Sequence, residues 1–394
     1  YGTLTGGAEL QIDRIMKIVV QEGHQAAFFS SNAASDGNPV IADFQCYGTL
    51  GRGRTYLQVA NRSARKQLKK ALKEFQPDVI HLFIYLTQLS PLILSLIKDY
   101  PTLLTLCFYR EICPKGTLLL PDNSLCQESW GKPCLKNKCL PLHQWLALEW
   151  QHRIFKKNYP SQIKAAAVSQ KVKQRFEQAG WEIMDIAFLG VPGEQPVFQF
   201  SDSPVIVYGG RLVKEKGIWV LLEAFRSLLK RMPAVQLWIA GAGKEKKNIE
   251  RWMLENKLEN SIQLLGHLPF EEMNRKFSTA WVQVVPSLWT EPGSLTHAEA
   301  MMRGTPVIGT ENAGLADYIK HGEEGWLVQP GNAADLEKGM FTILSDKILR
   351  DHIAREGHAF AMKNLEINIT TAKHLALYEK ARGEFIAAAK IEKL

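Results

Sequence analysis

The sequence predicts an α/β protein built from two doubly wound domains, and three observations carry that reading. Short apolar runs alternate with longer helical patterns along the whole chain, the signature of parallel strands covered by helices. The alternation pauses in a Pro-, Gly- and Gln-containing stretch, residues 191–204, and starts afresh at Val205. At 394 residues the chain also exceeds the roughly 100–200 residues of one domain.

The elements follow in order. Ile12 to Glu22 reads as a helix, Gln25 to Phe29 as a strand, Leu57 to Phe75 as one long amphipathic helix, and Val79 to Phe83 and Thr102 to Leu106 as strands. Ala165 to Val168 and Ile186 to Leu189 are strand-like again, around a helical stretch from Gln170 to Ala179. After the pause come strands at Val205 to Tyr208, Gln236 to Ala240, Ile262 to Leu265, Val282 to Val285, Pro306 to Gly309 and Gly325 to Val328, with helical segments between them. Residues 367–394 form one more helical pattern with no strand after it, so a return to the first domain is expected. The domains are therefore 1–190, with a Cys-containing insertion at 113–141, a linker at 191–204, then 205–366 and the terminal helix.

Composition bounds the function. Hydrophobic residues at 46% and charged residues at 22% exclude a collagen-like or disordered chain. No window reaches the roughly 18–20 apolar residues of a spanning helix, and no leader pattern opens the chain, so a cytoplasmic protein is expected. The net charge of +8 lies wholly in the first half, where residues 1–190 hold 23 Lys and Arg against 15 Asp and Glu, while 191–394 hold 25 of each. Much of it sits on the Leu57–Phe75 helix, as Arg62, Arg65, Lys66, Lys69, Lys70 and Lys73. No aromatic residues interleave with these bases as a nucleic-acid platform requires, which favours peripheral membrane contact or a solubilising face and leaves nucleic-acid binding a distant third reading.

Open sheets of this kind bind ligands at the carboxyl ends of their strands. After Tyr208 comes Gly209-Gly210-Arg211, then Lys216-Gly217 and a helix, a loop whose glycines admit an anion that Arg211 and Lys216 can bind. A second glycine loop, Gly241-Ala242-Gly243, follows the next strand; tight strand-to-helix packing explains it alone. After Val285 comes the third, Glu291-Pro292-Gly293-Ser294-Leu295-Thr296-His297-Ala298-Glu299, running into a helix expected to start near Gly293. Free N–H groups at that helix start and two carboxylates eight positions apart suit a molecule with both a diphosphate and sugar rings.

These motifs together resemble the retaining glycosyltransferases of family 4, whose GT-B fold sets two Rossmann-like domains facing each other across a cleft. The resemblance rests on Gly6-Gly7-Ala8-Glu9, Val168-Ser169, Gly210-Arg211 with Lys216-Gly217, Ile239-Ala240-Gly241 and Leu265-Gly266-His267-Leu268. It continues through Glu291 to Glu299, Gly304-Thr305-Pro306-Val307-Ile308 and the turn before Trp326. It implies that Arg211 and Lys216 bind the donor diphosphate, that Glu291 accepts donor-sugar hydroxyls, and that Glu299 accepts the ribose hydroxyls. Leu268 would read the base from its backbone. Gly293, Ser294, Leu295 and Thr296 would meet sugar and phosphates, with Gly210 and Gly241 beside them and Gly6 and Gly7 facing the diphosphate.

The implied activity is hexose transfer from a nucleotide diphosphate sugar, UDP-glucose first, to a hydroxyl of a polysaccharide or lipid-linked glycan, with no cofactor and no metal required. The rival readings are a synthase of sucrose-phosphate type and a catalytically silent sugar-nucleotide-binding protein. The silent reading draws on one departure from the pattern: where the family commonly has a histidine after the Thr102–Leu106 strand, this chain has Cys107-Phe108-Tyr109. Tyr109, Arg110 and Glu111 are the substitutes at hand. His81 is a further candidate for the cleft, against the plainer reading of a strand histidine bonded to backbone. A second departure is that the sequence opens at Tyr1, where the resemblance calls for an apolar strand, so upstream residues are expected and β edges would otherwise go unpaired.

Four of the six cysteines, Cys113, Cys126, Cys134 and Cys139, fall in the insertion. Their spacing lacks the paired Cys-x-x-Cys of a zinc ribbon, leaving structural zinc, disulfides and free thiols as alternatives. A long insertion is more often functional than idle, and Lys132, Lys136 and Lys138 make this one cationic, as an acceptor-side element would be.

Overall fold

The structure, a computed structural model, describes residues 7–33, 40, 42–51 and 53–391. Along the chain run α1 (Gly7–Gln21), β1 (Phe29–Ser31), β2 (Phe44–Cys46), α2 (Arg54–Val59), α3 (Arg62–Phe75), β3 (Ile80–Leu82), β4 (Thr102–Leu106) and α4 (Lys132–Lys136). Next come α5 (Leu142–Asn158), β5 (Ile163–Ala167), α6 (Gln170–Gln178), β6 (Ile183–Ile186), β7 (Val205–Gly209), α7 (Ile218–Leu228), β8 (Gln236–Ala240) and α8 (Lys246–Glu255). The rest are β9 (Ile262–Gly266), α9 (Phe270–Phe277), β10 (Val282–Val285), α10 (Leu295–Arg303), β11 (Val307–Thr310), β12 (Trp326–Val328), α11 (Ala333–Ser345), α12 (Lys347–Asn364) and α13 (Ile367–Ile391).

The chain divides into two compact units. The first comprises Tyr1–Asp122, Cys126–Leu189 and Ile367–Leu394; the second comprises Asn123–Leu125 and Gly190–Glu366. In unit 1, β3, β4, β5 and β6 form a four-stranded parallel sheet, and β1 and β2 form a separate parallel pair. Among the described residues β1 and β3 each pair along one edge only. An apolar cavity of about 260 Å³ lies in this unit, walled by Ile15, Phe29, Leu72, Ile80 and Leu82. The sheet core is β4, where Leu103, Leu104 and Leu106 are fully buried. The terminal helix α13 packs on α1 and β4. Lys373 pairs with Asp185 at 2.5 Å and Lys164 with Glu384 at 2.6 Å.

Unit 2 is a six-stranded parallel sheet in the order β12-β11-β10-β7-β8-β9. The order reverses at β7, which pairs with β8 on one side and β10 on the other, so the switch point lies between the carboxyl ends of β7 and β10. Its strands read as near-continuous apolar runs because helices cover both faces: Ile206 and Val284 meet Leu221, Phe225 and Met340 on one side, and Val207 meets Phe277 on the other.

The structure corrects several boundaries. The long Leu57–Phe75 helix is two helices, α2 and α3, broken at Ala60 and Asn61. Asn61 is buried and caps α3, accepting from the Ala64 N–H at 2.9 Å and donating its amide to the carbonyls of Tyr47 and Gln88. The bases from Arg62 to Lys73 remain on an exposed face, while Ala64, Leu68, Ala71 and Leu72 are buried. The strand expected at Gln25–Phe29 begins only at Phe29, and the one expected at Ile186–Leu189 is β6, three residues earlier. β2 and α5 carry no strong periodic signal and were not expected from the sequence.

Candidate functional site

The loop after β7 and the loop after β10 meet at the switch point of unit 2. The Leu288 N–H donates to the Glu215 carbonyl at 3.0 Å. Gly217 sits at φ +70°, and a Cβ there would fall 1.7 Å from the Pro286 carbonyl oxygen, so only glycine allows this approach. Within the approach, Lys216 forms an ion pair with Glu291. The second Glu291 oxygen accepts from the Ser287 hydroxyl at 2.5 Å, and the Ser287 carbonyl in turn accepts from Thr310 at 2.9 Å. Lys216 also lies 5.9 Å over the Trp289 ring.

Electrostatics keep Glu291 charged. Burial pushes the Glu291 carboxyl up, but the Lys216 ammonium beside it and the Ser287 hydroxyl outweigh burial and hold it below the usual carboxylate range. The result is a carboxylate with both oxygens engaged and lone pairs left to accept hydroxyls. Arg211 is different: its side chain is 64% exposed and lies 4.0 Å from Glu215, so it is available to an anion in solution.

Helix α10 begins at Leu295, two residues later than the sequence suggests, because Ser294 takes the unusual backbone φ 13°, ψ 67° as its cap. The Ser294 carbonyl already accepts from His297 and Ala298. Among the described residues the N–H groups of Leu295 and Thr296 carry no hydrogen bond within the protein, which leaves them for a ligand. The Ser294 hydroxyl bonds Nδ1 of His297. His297 is fully buried, and burial, reinforced by Lys216 and opposed by Glu291, lowers its pKa to about 4, so the imidazole is neutral.

Glu299 lies in the second turn of α10, 8% exposed and within electrostatic range of Arg303. Gly210 and Gly241 belong to loops that zip together: Gly210 N–H donates to Ala240 at 3.0 Å and Leu212 N–H to Ala242 at 2.8 Å. A Cβ on Gly241 would fall 1.8 Å from the Gly210 carbonyl oxygen. Leu268 follows β9, half-buried against the cluster of Val207 and Phe277. Gly293 is buried just before the cap.

The unit 1 candidates fall differently. Gly7 opens α1 and is exposed; Gly6 lies outside the described residues. His81 bonds Tyr378 through Nδ1 at 2.7 Å and Thr105 through Nε2 at 2.6 Å, so its partners are hydroxyls and not backbone. Burial, with His374 nearby, holds it well below the usual histidine pKa. Tyr109 is fully buried and stacks on Phe176, which makes it a core ring and corrects the reading of its hydroxyl as a substitute group. Arg110 is buried as well. The half-buried Cys107 thiol is pushed far up by burial and stays protonated. Glu111 is 5% exposed, and burial raises its pKa to about 7. The four insertion cysteines are free, and among the described residues no three His, Cys, Asp or Glu side chains form a metal-binding group.

Ser287, Trp289, His297 and Thr310 were not singled out in the sequence. Only His297 gave a signal, as a polar side chain placed where α10 turns its buried face.

Residues 194–360 match the family model described as glycosyl transferases group 1. The matched stretch lies within unit 2. The chain is 29% identical over 177 residues to the lipopolysaccharide core biosynthesis glycosyltransferase LpsE of Rhizobium meliloti, covering 45% of this chain and 50% of that protein. The chain spans about half the length of the curated relatives it matches. Over 95% of this chain and 93% of the other, the fold matches the sucrose-phosphate synthase of Thermosynechococcus elongatus, with a TM-score of 0.71 and 19% identity. It also matches Anabaena HepE in complex with UDP, TM-score 0.67 at 18% identity, over 96% and 98%. At these identities the likeness shows the fold, which is GT-B. The matched stretch contains every unit 2 site residue described above.

Proposed function

We propose that the protein is a retaining glycosyltransferase of family 4 that moves a hexose from a nucleotide diphosphate sugar to a hydroxyl of a polysaccharide or lipid-linked glycan. The observation that carries this reading is the buried Lys216–Glu291 pair beside exposed Arg211 and the unbonded N–H groups of α10. Cations and helix N–H groups suit a diphosphate; carboxylates suit hydroxyls. UDP-glucose is the first donor to test, in keeping with HepE, whose structure was solved with UDP-glucose. A glycan acceptor is in keeping with the name of LpsE.

In this reading the bond from sugar C1 to the β-phosphate oxygen breaks, leaving negative charge on the diphosphate and positive charge on the sugar. Arg211, Lys216 and the α10 N–H groups stabilise the leaving group, which is the larger share of the catalysis. The acceptor oxygen attacks C1 from the face of departure, and its proton passes to the leaving phosphate. The donor site supplies its own positive charge, so the reading requires no metal. Contact with an anionic membrane would run through the exposed bases of α3.

The test is incubation of the full chain with UDP-glucose and glycan acceptors, with and without a chelator, following UDP release and the anomeric form of the product. Chelator-resistant formation of an α-linked product from the α-linked donor is expected. A β-linked product overturns retention. Absence of transfer from uridine, guanosine and adenosine diphosphate sugars alike supports the silent binder instead.

A further inference from the structure

Unit 1 holds a pocket of about 720 Å³ that no part of the donor loops enters. It is lined by α5, by the end of α6 and the turn after it, by the first residues of β5 and β6, and by part of the insertion. Its lining runs from the first residues of β5 and β6 to Glu111 and Ile112 in the loop after β4. The volume falls within the range of about 300–1,000 Å³ typical of small-molecule sites.

Two charged groups on its lining bear on what it can hold. Glu111 is 5% exposed; its carboxylate accepts from its own backbone N–H and lies within electrostatic range of Arg110. Arg175 donates through Nη2 to the Glu128 carbonyl at 3.2 Å, while its Nε–H is buried with no partner. A buried donor left open costs free energy, and a ligand oxygen that accepts from it removes that cost. A hydroxyl oxygen is such an acceptor.

The remaining lining fits a polyhydroxyl ring. Trp130 stacks on His152 at 4.3 Å between ring centroids, and Trp181 meets Tyr159 edge-on at 5.2 Å. These half-buried rings present flat apolar surface to the C–H faces of a sugar. Four basic and four acidic side chains line the pocket, so its charge balances, and burial lowers His152 to about 4, which keeps that ring neutral. A balanced pocket does not select an anion.

We propose that this pocket is a saccharide-binding site for a neutral oligosaccharide, with Glu111 and Arg175 bonding hydroxyls and Trp130 and Trp181 packing on the rings. It is separate from the unit 2 loops and does not depend on the transferase reading. Ligand-observed saturation-transfer NMR and calorimetry on the full chain test it, with maltotriose, cellotriose and triacetylchitotriose as probes and inorganic phosphate as competitor. At least one trisaccharide is expected to bind, with phosphate at tenfold excess failing to displace it. Glu111→Leu, which fills the same space without an acceptor, and Arg175→Lys should each weaken it tenfold or more, while Lys216→Ala leaves it within twofold. Failure of all three probes, displacement by phosphate, or binding unchanged in both pocket variants overturns the proposal. Loss of nucleotide binding in the same preparation bears only on the donor site.

Discussion

Glu291 is the residue on which most rests, and the structure changes what its replacement means. Because Lys216 and Glu291 are 15% and 8% exposed, removing the carboxylate leaves a buried ammonium without its partner. Glu291→Ala should therefore destabilise the protein by about 3–5 kcal/mol as well as abolish transfer. Glu291→Gln keeps an acceptor and the shape; it should lower kcat by roughly 10²–10³ while moving the urea midpoint little. Equal loss of stability in the two variants would contradict a role in the reaction. Arg211, largely exposed, predicts the reverse pattern: Arg211→Ala should raise KM for the donor with no measurable change in stability, checked by steady-state kinetics beside thermal unfolding. The motif residues Arg211, Lys216, Glu291 and Glu299 were legible in the sequence because charge at fixed spacing after a strand is a chemical pattern. Ser287 and Thr310 were not, since supporting a neighbouring group leaves no spacing rule.

At the scale of elements, the site is two loops locked together before any ligand arrives. The lock is backbone: Gly217 against Pro286, and Gly241 against Gly210. Gly217→Ala combines a left-handed φ with a clash against a carbonyl, so it should cost about 1–3 kcal/mol or more and weaken nucleotide binding together with stability. A variant that loses neither would show that the loops do not need this approach. The strands of unit 2 were readable to within one or two residues because buried parallel strands are continuous apolar runs bounded by glycine and proline. Unit 1 was harder. Asn61 breaks a continuous amphipathic pattern through hydrogen bonds to distant carbonyls, and the short strands β1 and β2 are set by tertiary pairing that periodicity does not record.

Across the whole molecule, buried ionisable groups make stability depend on pH in opposing ways. His297, lowered to about 4, is neutral in the fold and protonates in the unfolded chain below its usual pKa. Its contribution is present above about 6.5 and is lost as pH falls toward 4. Half-buried His152, also lowered to about 4, acts in the same direction. Glu111, raised to about 7, binds a proton that the unfolded chain has already lost, so it costs stability as pH rises from the usual carboxylate range through 7. Urea unfolding should accordingly show His297→Gln flattening the slope between pH 4 and 6.5, and Glu111→Gln gaining on the wild type at pH 8 relative to pH 5. Slopes that do not change in either variant would contradict these assignments.

The central claim is that unit 2 holds a nucleotide diphosphate through Arg211, Lys216 and the start of α10. Calorimetric titration of the full chain with UDP, GDP and ADP, without added metal, tests it most directly, with Lys216→Ala and Arg211→Ala alongside. Selective binding of one nucleotide, weakened at least tenfold in both variants, is the predicted result. Binding of none of the three, or binding that both variants leave intact, would contradict it.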